Sequence, residues 1–150
     1  RLYLGAHYLS DVLAAMAELR GLVGGFLVTF IEREGRCQGT DLAAVPALVE
    51  AAGDARLTIA GGVTSAAEIA ELDRLGADAQ VGMALYDGRL PLAEAFAAPL
   101  VSDRPDGLWP TLVVDPRGVA LGLVYSNLES LSAALAERRG VYWSRSRGLW

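Results

Sequence analysis

The sequence predicts an α/β fold built on parallel strands, followed by a smaller α+β unit. Three observations carry that expectation. Segments with helical spacing alternate with short apolar runs along residues 11–96. Glycines stand directly after two of those runs, at Gly61-Gly62 and at Gly82. Beyond residue 107 the pattern changes to two strands around a Pro-Gly-containing turn, then a helix, then another strand.

The elements follow in order. Residues 11–20 carry apolar positions at helical spacing, with Ser10 as a cap and Gly21 as a stop. Residues 25–31 form a continuous apolar run of strand length, which suits a parallel strand buried on both faces. Residues 32–40 are polar and contain glycine, so a loop is expected. Pro46 fits the first turn of a helix over 46–52, where its missing N–H costs little. A strand is expected at 56–60. Ser65 and Glu68 then form a capping box that opens a helix to Leu75, stopped by Gly76. A further strand covers 77–82, and 91–96 starts another helix. Residues 97–107 contain two prolines and read as a linker. Strands are expected at 111–114 and 119–125 around the turn 115–118. Ser126 or Asn127 caps a helix reaching about Arg138 and stopped by Gly140, before a last strand at 141–143.

Composition narrows the function classes. The chain has 150 residues, 53% of them hydrophobic, which allows one domain or two small ones with a real core. A net charge of −5 without a basic block makes electrostatic capture of nucleic acid or an anionic membrane unexpected. Cys37 is the only cysteine and His7 the only histidine, so an internal disulfide, a multi-cysteine zinc site and a histidine-rich metal site are not expected. Cys37 reads as an unpaired loop thiol and His7 as a residue at a helix entrance without catalytic duty. A reducing, cytoplasmic setting fits. No apolar run reaches the roughly 18 residues that span a bilayer. The chain starts at Arg1 and stops at Trp150 just after an apparent strand, so a piece of a longer polypeptide is expected.

Chemistry is expected where glycines meet strand ends. Glycine lets the backbone approach a ligand closely, and helix N-termini offer free N–H groups that suit phosphate. In β/α barrels two successive loops of this kind commonly form one phosphate site. The runs Ile59-Ala-Gly-Gly-Val-Thr-Ser-Ala-Ala-Glu-Ile69 and Val81-Gly-Met-Ala-Leu-Tyr-Asp-Gly-Arg89, with Leu75-Gly-Ala-Asp78 between them, resemble one barrel family. It is the isomerase of histidine biosynthesis that acts on phosphoribosylformimino-aminoimidazole carboxamide ribotide. Val28-Thr-Phe-Ile-Glu-Arg-Glu-Gly35 and Gly39 resemble its sixth-strand motif. The resemblance covers about residues 8–98, the last three strands of an eight-stranded (βα)8 TIM barrel that runs to roughly 250 residues when complete.

This resemblance implies an Amadori-type rearrangement in which a general acid and base pass protons while two phosphate sites clamp a long substrate. Thr29 falls at the active-site threonine, and Glu34 falls where the family carries a catalytic Asp. Gly61, Gly62, Gly82 and Met83 fall in the second phosphate site. Four departures stand out. Glu34 reaches one methylene further than Asp, Phe30 replaces an acidic residue, Met83 replaces Arg or Lys, and Arg36 replaces Thr. The expected base lies on a first strand outside this chain.

The second part has its own resemblance. Asp106-Gly-Leu-Trp-Pro110, Val114-Asp115, Leu121-Gly-Leu-Val-Tyr-Ser-Asn127, Glu129 and Tyr142-Trp-Ser-Arg-Ser-Arg147 with Leu149-Trp150 are similar to phosphoribosyl-AMP cyclohydrolase, over about 104–150. Read from the residues alone, Arg145 and Arg147 supply forked donors for phosphate while Ser144 and Ser146 add hydroxyls. Strand alternation would send the two Arg to one face and the two Ser to the other. The resemblance implies substrate contact by all four, dimerisation, and zinc and magnesium whose ligands lie outside this chain; the isomerase part implies no cofactor.

The expectation is therefore a fragment of a bifunctional histidine-biosynthesis enzyme. Residues 1–98 are the C-terminal half of the isomerase barrel, 99–105 a linker, and 106–150 the first part of the cyclohydrolase. Phosphoribosyl compounds are the expected partners, without nucleic acid or membrane. Homodimerisation through the second part, or self-association of a half-barrel with open edges, is also expected. Two other readings remain: the similar cyclase-type barrel of the same pathway, and a degenerate scaffold that kept phosphate binding without catalysis.

Overall fold

Three of the expected strands form one parallel sheet in the order β1 (Gly25–Thr29), β2 (Arg56–Ala60), β3 (Asp78–Gln80). The structure, a computed structural model, describes residues 12–33, 35, 36 and 38–149. Parallel neighbours require crossover connections, and helices supply them here. These are α2 (Val45–Ala52) and α3 (Ala66–Arg74); α1 (Val12–Leu19) precedes β1 and the one-turn α4 (Met83–Tyr86) follows β3. Helix α1 packs on α2, α2 on β2, and α3 on β3. Ile59 of β2, Val45 of α2 and Leu72 of α3 are fully buried and mark the centre of this layer.

The expectation of a first strand buried on both faces is corrected. In β1 only Val28 is buried, and Leu27 remains 44% exposed. β1 pairs with β2 on one side and, among the described residues, with no strand on the other. An edge strand cannot bury both faces without neighbours that cover it. β1 also ends at Thr29 rather than at residue 31. Phe30 still donates its N–H to the Ala60 carbonyl at 2.9 Å, and the chain then turns into a short 3-10 segment at Ile31–Arg33. The proposed Ser10 cap lies outside the described residues. The capping box at α3 is formed: the Ser65 hydroxyl accepts from the Glu68 N–H at 3.3 Å, and the Glu68 carboxylate accepts from the Ser65 N–H at 3.1 Å. Gly76, at φ 89°, follows the helix.

The chain divides into two compact units, residues 1–90 and 91–150. The second contains α5 (Leu92–Ala97), β4 (Trp109–Val114), β5 (Ala120–Ser126), α6 (Leu128–Glu137), β6 (Trp143–Ser144) and β7 (Gly148–Leu149). Its strands form an antiparallel sheet in that order. The hairpin turn closes as its sequence demands. Asp115 Oδ1 accepts from the N–H groups of Arg117 and Val119 at 2.8 and 2.9 Å, and Gly118 takes φ 81°. Helix α5, which the spacing groups with the first part, packs against α6. Asn127 caps α6 by accepting the Ser130 N–H at 2.9 Å, and the fully buried Ser130 hydroxyl accepts the Asn127 N–H at 3.0 Å.

Two local expectations fail in this unit. The end of α6 is set by Arg138 in the left-handed region at φ 54°, not by Gly140. The segment expected to alternate as a strand turns after Ser144, so residues 145–147 form a bend between β6 and β7. Strand alternation therefore does not sort those arginines and serines onto opposite faces. Removing the cap should be visible in stability: Asn127→Ala is expected to cost about 1 kcal/mol, read by chemical denaturation of the full chain.

Candidate functional site

Strand register sets the geometry of the first site. Thr29 pairs with Ala60, and Ala60 pairs with Gln80, so the C-terminal ends of the three strands are level. A concavity of about 210 Å3 opens at that rim. Its lining includes Thr29, Gly61, Gly62, Gly82 and Met83, so five residues singled out from the sequence meet in one place. Gly35, Thr64, Gln80 and Tyr86 also line it and were not singled out. Glu34, Cys37 and His7 lie outside the described residues.

The glycines are there for different reasons. Gly61 (φ 90°) and Gly62 (φ 85°) occupy the left-handed region that favours glycine. A Cβ on Gly61 would strike the Phe30 carbonyl oxygen, and one on Gly62 would strike the Gly39 carbonyl oxygen. Gly82 has negative φ and open space where a Cβ would stand, so neighbouring atoms do not demand glycine there. Met83 follows it with a side chain 53% exposed. Among the described residues no Lys or Arg lines this concavity. Among those residues its lining carries no charged side chain, and the Thr64 hydroxyl donates to Glu68.

Glu68 holds the rim in place. Its carboxylate accepts the Thr40 N–H at 2.7 Å, the Thr64 N–H and hydroxyl at 3.0 and 2.9 Å, and the Ser65 N–H and hydroxyl at 3.1 and 3.0 Å. One side chain thus ties the loop before α2 to the loop that follows Gly61-Gly62. Partial burial works to raise the Glu68 pKa, but the hydrogen bonds from Thr40, Thr64 and Ser65 prevail and hold it below the ordinary glutamate value. The capping box was legible as an N-terminal signal. The bond to Thr40, distant in sequence, had no local signature.

The second unit has a separate cleft of about 500 Å3. Ser144, Arg145, Ser146 and Arg147 all line it, with Val124, Tyr125, Tyr142 and Trp143. The Ser144 and Ser146 hydroxyls lie 3.3 Å apart. The Arg145 guanidinium stands 4.8 Å from the centroid of the Tyr125 ring, and Arg104 stands 4.7 Å from the same centroid. Arg104 was not singled out from the sequence. Its fork grips Asp106 through two bonds, at 2.9 and 2.7 Å. That pairing raises the Arg104 pKa and lowers that of Asp106. Among the described residues no three His, Cys, Asp or Glu side chains come together as metal ligands.

Parallel strands ending at a glycine-built rim define a class of α/β protein that binds small ligands at the carboxyl ends of its strands. The particular family follows from comparison. Residues 6–91 match the model of the histidine biosynthesis protein family, and the chain belongs to that family. It is 54% identical over 63 residues to the histidine biosynthesis trifunctional protein of Neurospora crassa, covering 42% of this chain and 7% of that protein. It is 52% identical over 62 residues to the histidine biosynthesis bifunctional protein of Schizosaccharomyces pombe, covering 41% of this chain and 15% of that protein. A phosphoribosyl imidazole-4-carboxamide isomerase of Methanocorpusculum labreanum is 41% identical over 76 residues, half of this chain and 32% of the isomerase. These alignments thus take in only a small share of the multifunctional relatives and about a third of the isomerase. None of the described helices is long and apolar enough to cross a membrane.

The Glu68 clasp carries a pH signature. Its folded pKa is depressed, so its contribution to stability is fully present above the unfolded glutamate value and is lost as pH falls through the folded one. Thermal melts taken downward from about pH 5, near the ordinary glutamate pKa of about 4.3, should show a falling midpoint. In Glu68→Gln that part of the pH dependence should be missing and the midpoint lower at neutral pH.

Proposed function

We propose that this chain is part of a multifunctional histidine-biosynthesis enzyme. Its first unit grips one phosphate of a ribotide in an isomerase of the Amadori type. Its second unit is of the phosphoribosyl-AMP cyclohydrolase type, which opens a purine ring. The carrying observation is the convergence of Thr29, Gly61, Gly62, Gly82 and Met83 on one concavity at the strand ends. In this reading the phosphate is held by backbone N–H groups at the glycine turns, with hydroxyls beside it. Thr29 faces the reacting part of the substrate, and Glu34 acts as the acid that helps open the ribose. The base comes from a strand outside this chain. A cytoplasmic setting suits such phosphorylated substrates.

The second unit supports binding through Ser144, Arg145, Ser146 and Arg147, which line its cleft. It also supports association between copies. Leu112 of β4 and Leu123 of β5 are cross-strand partners, 60% and 64% exposed, and Val114 and Leu121 beside them are exposed as well. An apolar sheet face of this kind is costly in water and favours pairing. Light scattering of the chain should show an oligomer, and Leu112→Ser with Leu123→Ser should shift it toward monomer. A monomer before substitution counts against this part.

One observation favours a second reading, a scaffold that binds phosphate without turnover: among the described residues, no Lys or Arg lines the rim concavity. The two readings separate in the full-length protein. Isomerase turnover that is lost on Glu34→Ala supports catalysis, whereas ligand binding with no turnover supports the scaffold. Gly62→Val should weaken binding of ribose 5-phosphate to the first unit by about ten-fold or more, because its side chain collides with the Gly39 carbonyl. Unchanged affinity in that variant would falsify the placement of phosphate at this rim.

A further inference from the structure

The wall of the second cleft joins an arrangement that extends beyond its lining. Two guanidinium groups, from Arg104 and Arg145, stand over one aromatic ring, Tyr125. The π-system of the ring attracts each of them. The pairs differ in one respect. Arg104 is held in a two-bond fork with Asp106, whereas Arg145 has no ion-pair partner among the described residues. One cation is therefore neutralised and the other is not.

The Arg104–Asp106 pair is also more constrained than an ordinary surface ion pair. The Arg104 N–H donates to the Ser102 hydroxyl at 3.2 Å, and that hydroxyl donates to the Leu108 carbonyl at 2.8 Å. Asp106 Oδ1 accepts the Leu108 N–H at 3.2 Å, and the Leu108 side chain is buried. Both charged residues thus sit in a short segment fastened to itself and anchored in the core. Tyr125 lies on β5 opposite Trp143, so its ring is part of the cleft wall.

We infer that Arg104 and Asp106 form a positioning clamp for this cleft. The clamp steadies the Tyr125 ring from one neutralised guanidinium, and the ring in turn holds Arg145 in the orientation that meets an anionic ligand. Arg145, with the Ser144 and Ser146 hydroxyls close by, is the group that takes the charge of a phosphate. Arg104 is a positioning residue and does not touch the ligand. This inference rests on the reading that the second cleft binds a phosphate-bearing compound.

Asp106→Asn separates the possibilities by the sign of its effect, because it adds one positive charge to the cleft while removing the clamp. All three tryptophans, Trp109, Trp143 and Trp150, belong to the second unit and Trp143 lines its cleft, so tryptophan fluorescence reports on that unit. Titration of the full chain with ribose 5-phosphate should give a saturable change. Arg145→Ala should raise Kd by about ten-fold or more, as expected for loss of a charged hydrogen-bonding partner. Asp106→Asn should raise Kd by about five-fold despite the added charge, and Asp106→Glu should recover most of that loss. Tighter binding by Asp106→Asn would mean that Arg104 acts as a ligand, and unchanged binding would mean that the pair has no role; either overturns the clamp alone. A wild-type chain without a saturable signal, or an Arg145→Ala chain that binds like wild type, overturns the anion reading and the clamp with it. If Asp106→Asn does not fold, Arg104→Lys gives the same comparison: the charge stays, the fork is lost, and wild-type affinity overturns the clamp.

Discussion

Five donors from three residues converge on the Glu68 carboxylate, and the first unit's rim depends on that convergence. A partly buried charge is costly unless its lone pairs are filled, and here they are filled by N–H and hydroxyl groups from two loops. The bond to Thr40 fixes the end of the loop that carries Gly39. Gly39 in turn leaves no room for a side chain on Gly62. The clasp therefore sets the spacing between the first and second strand-end loops, which is the spacing that defines the concavity. A capping box that served only its own helix would leave that distance to chance.

The two units manage charge in opposite ways. The first lines its rim with residues that carry no charge and keeps the Glu68 carboxylate bonded to the loops beside them. The second places arginines over an aromatic ring and sorts them by partner, with one tied to Asp106 and the other open to the cleft. The two designs differ in what a substitution removes. At the rim, shape is decisive, because the glycines leave space that side chains would fill. In the cleft, orientation of a charged fork is decisive.

Membership of the histidine biosynthesis family joins these features to relatives that are isomerases or carry several activities in one chain. The parallel sheet and helices agree with part of a barrel, and β1 and β3 leave free edges among the described residues. The exposed Leu27 on β1 is consistent with a strand whose neighbour is missing from this sheet.

Much of this architecture was legible because its causes are local. The spacing of apolar residues placed β2 at 56–60 without error. Ser65 with Glu68, Asn127 before α6, and Asp115-Pro-Arg-Gly118 each announced a cap or turn through side chains that bond to their own backbone neighbourhood. Gly61-Gly62 was visible as a place where side chains are absent. The burial of β1 was misjudged, because an apolar run reports the capacity to be buried and not the presence of neighbours. The end of α6 and the path of residues 145–147 differ from the expectation because Arg138 takes a left-handed conformation usually left to glycine and the chain turns after Ser144, neither of which residue preference signals. Thus the sequence by itself determined the elements, their caps and the glycine turns, since those depend on contacts within a few residues. Only the tertiary structure decided that Glu68 joins Thr40 to Thr64, and that Arg104, Tyr125 and Arg145 meet, because those contacts are made across long sequence separations by strand pairing and loop closure.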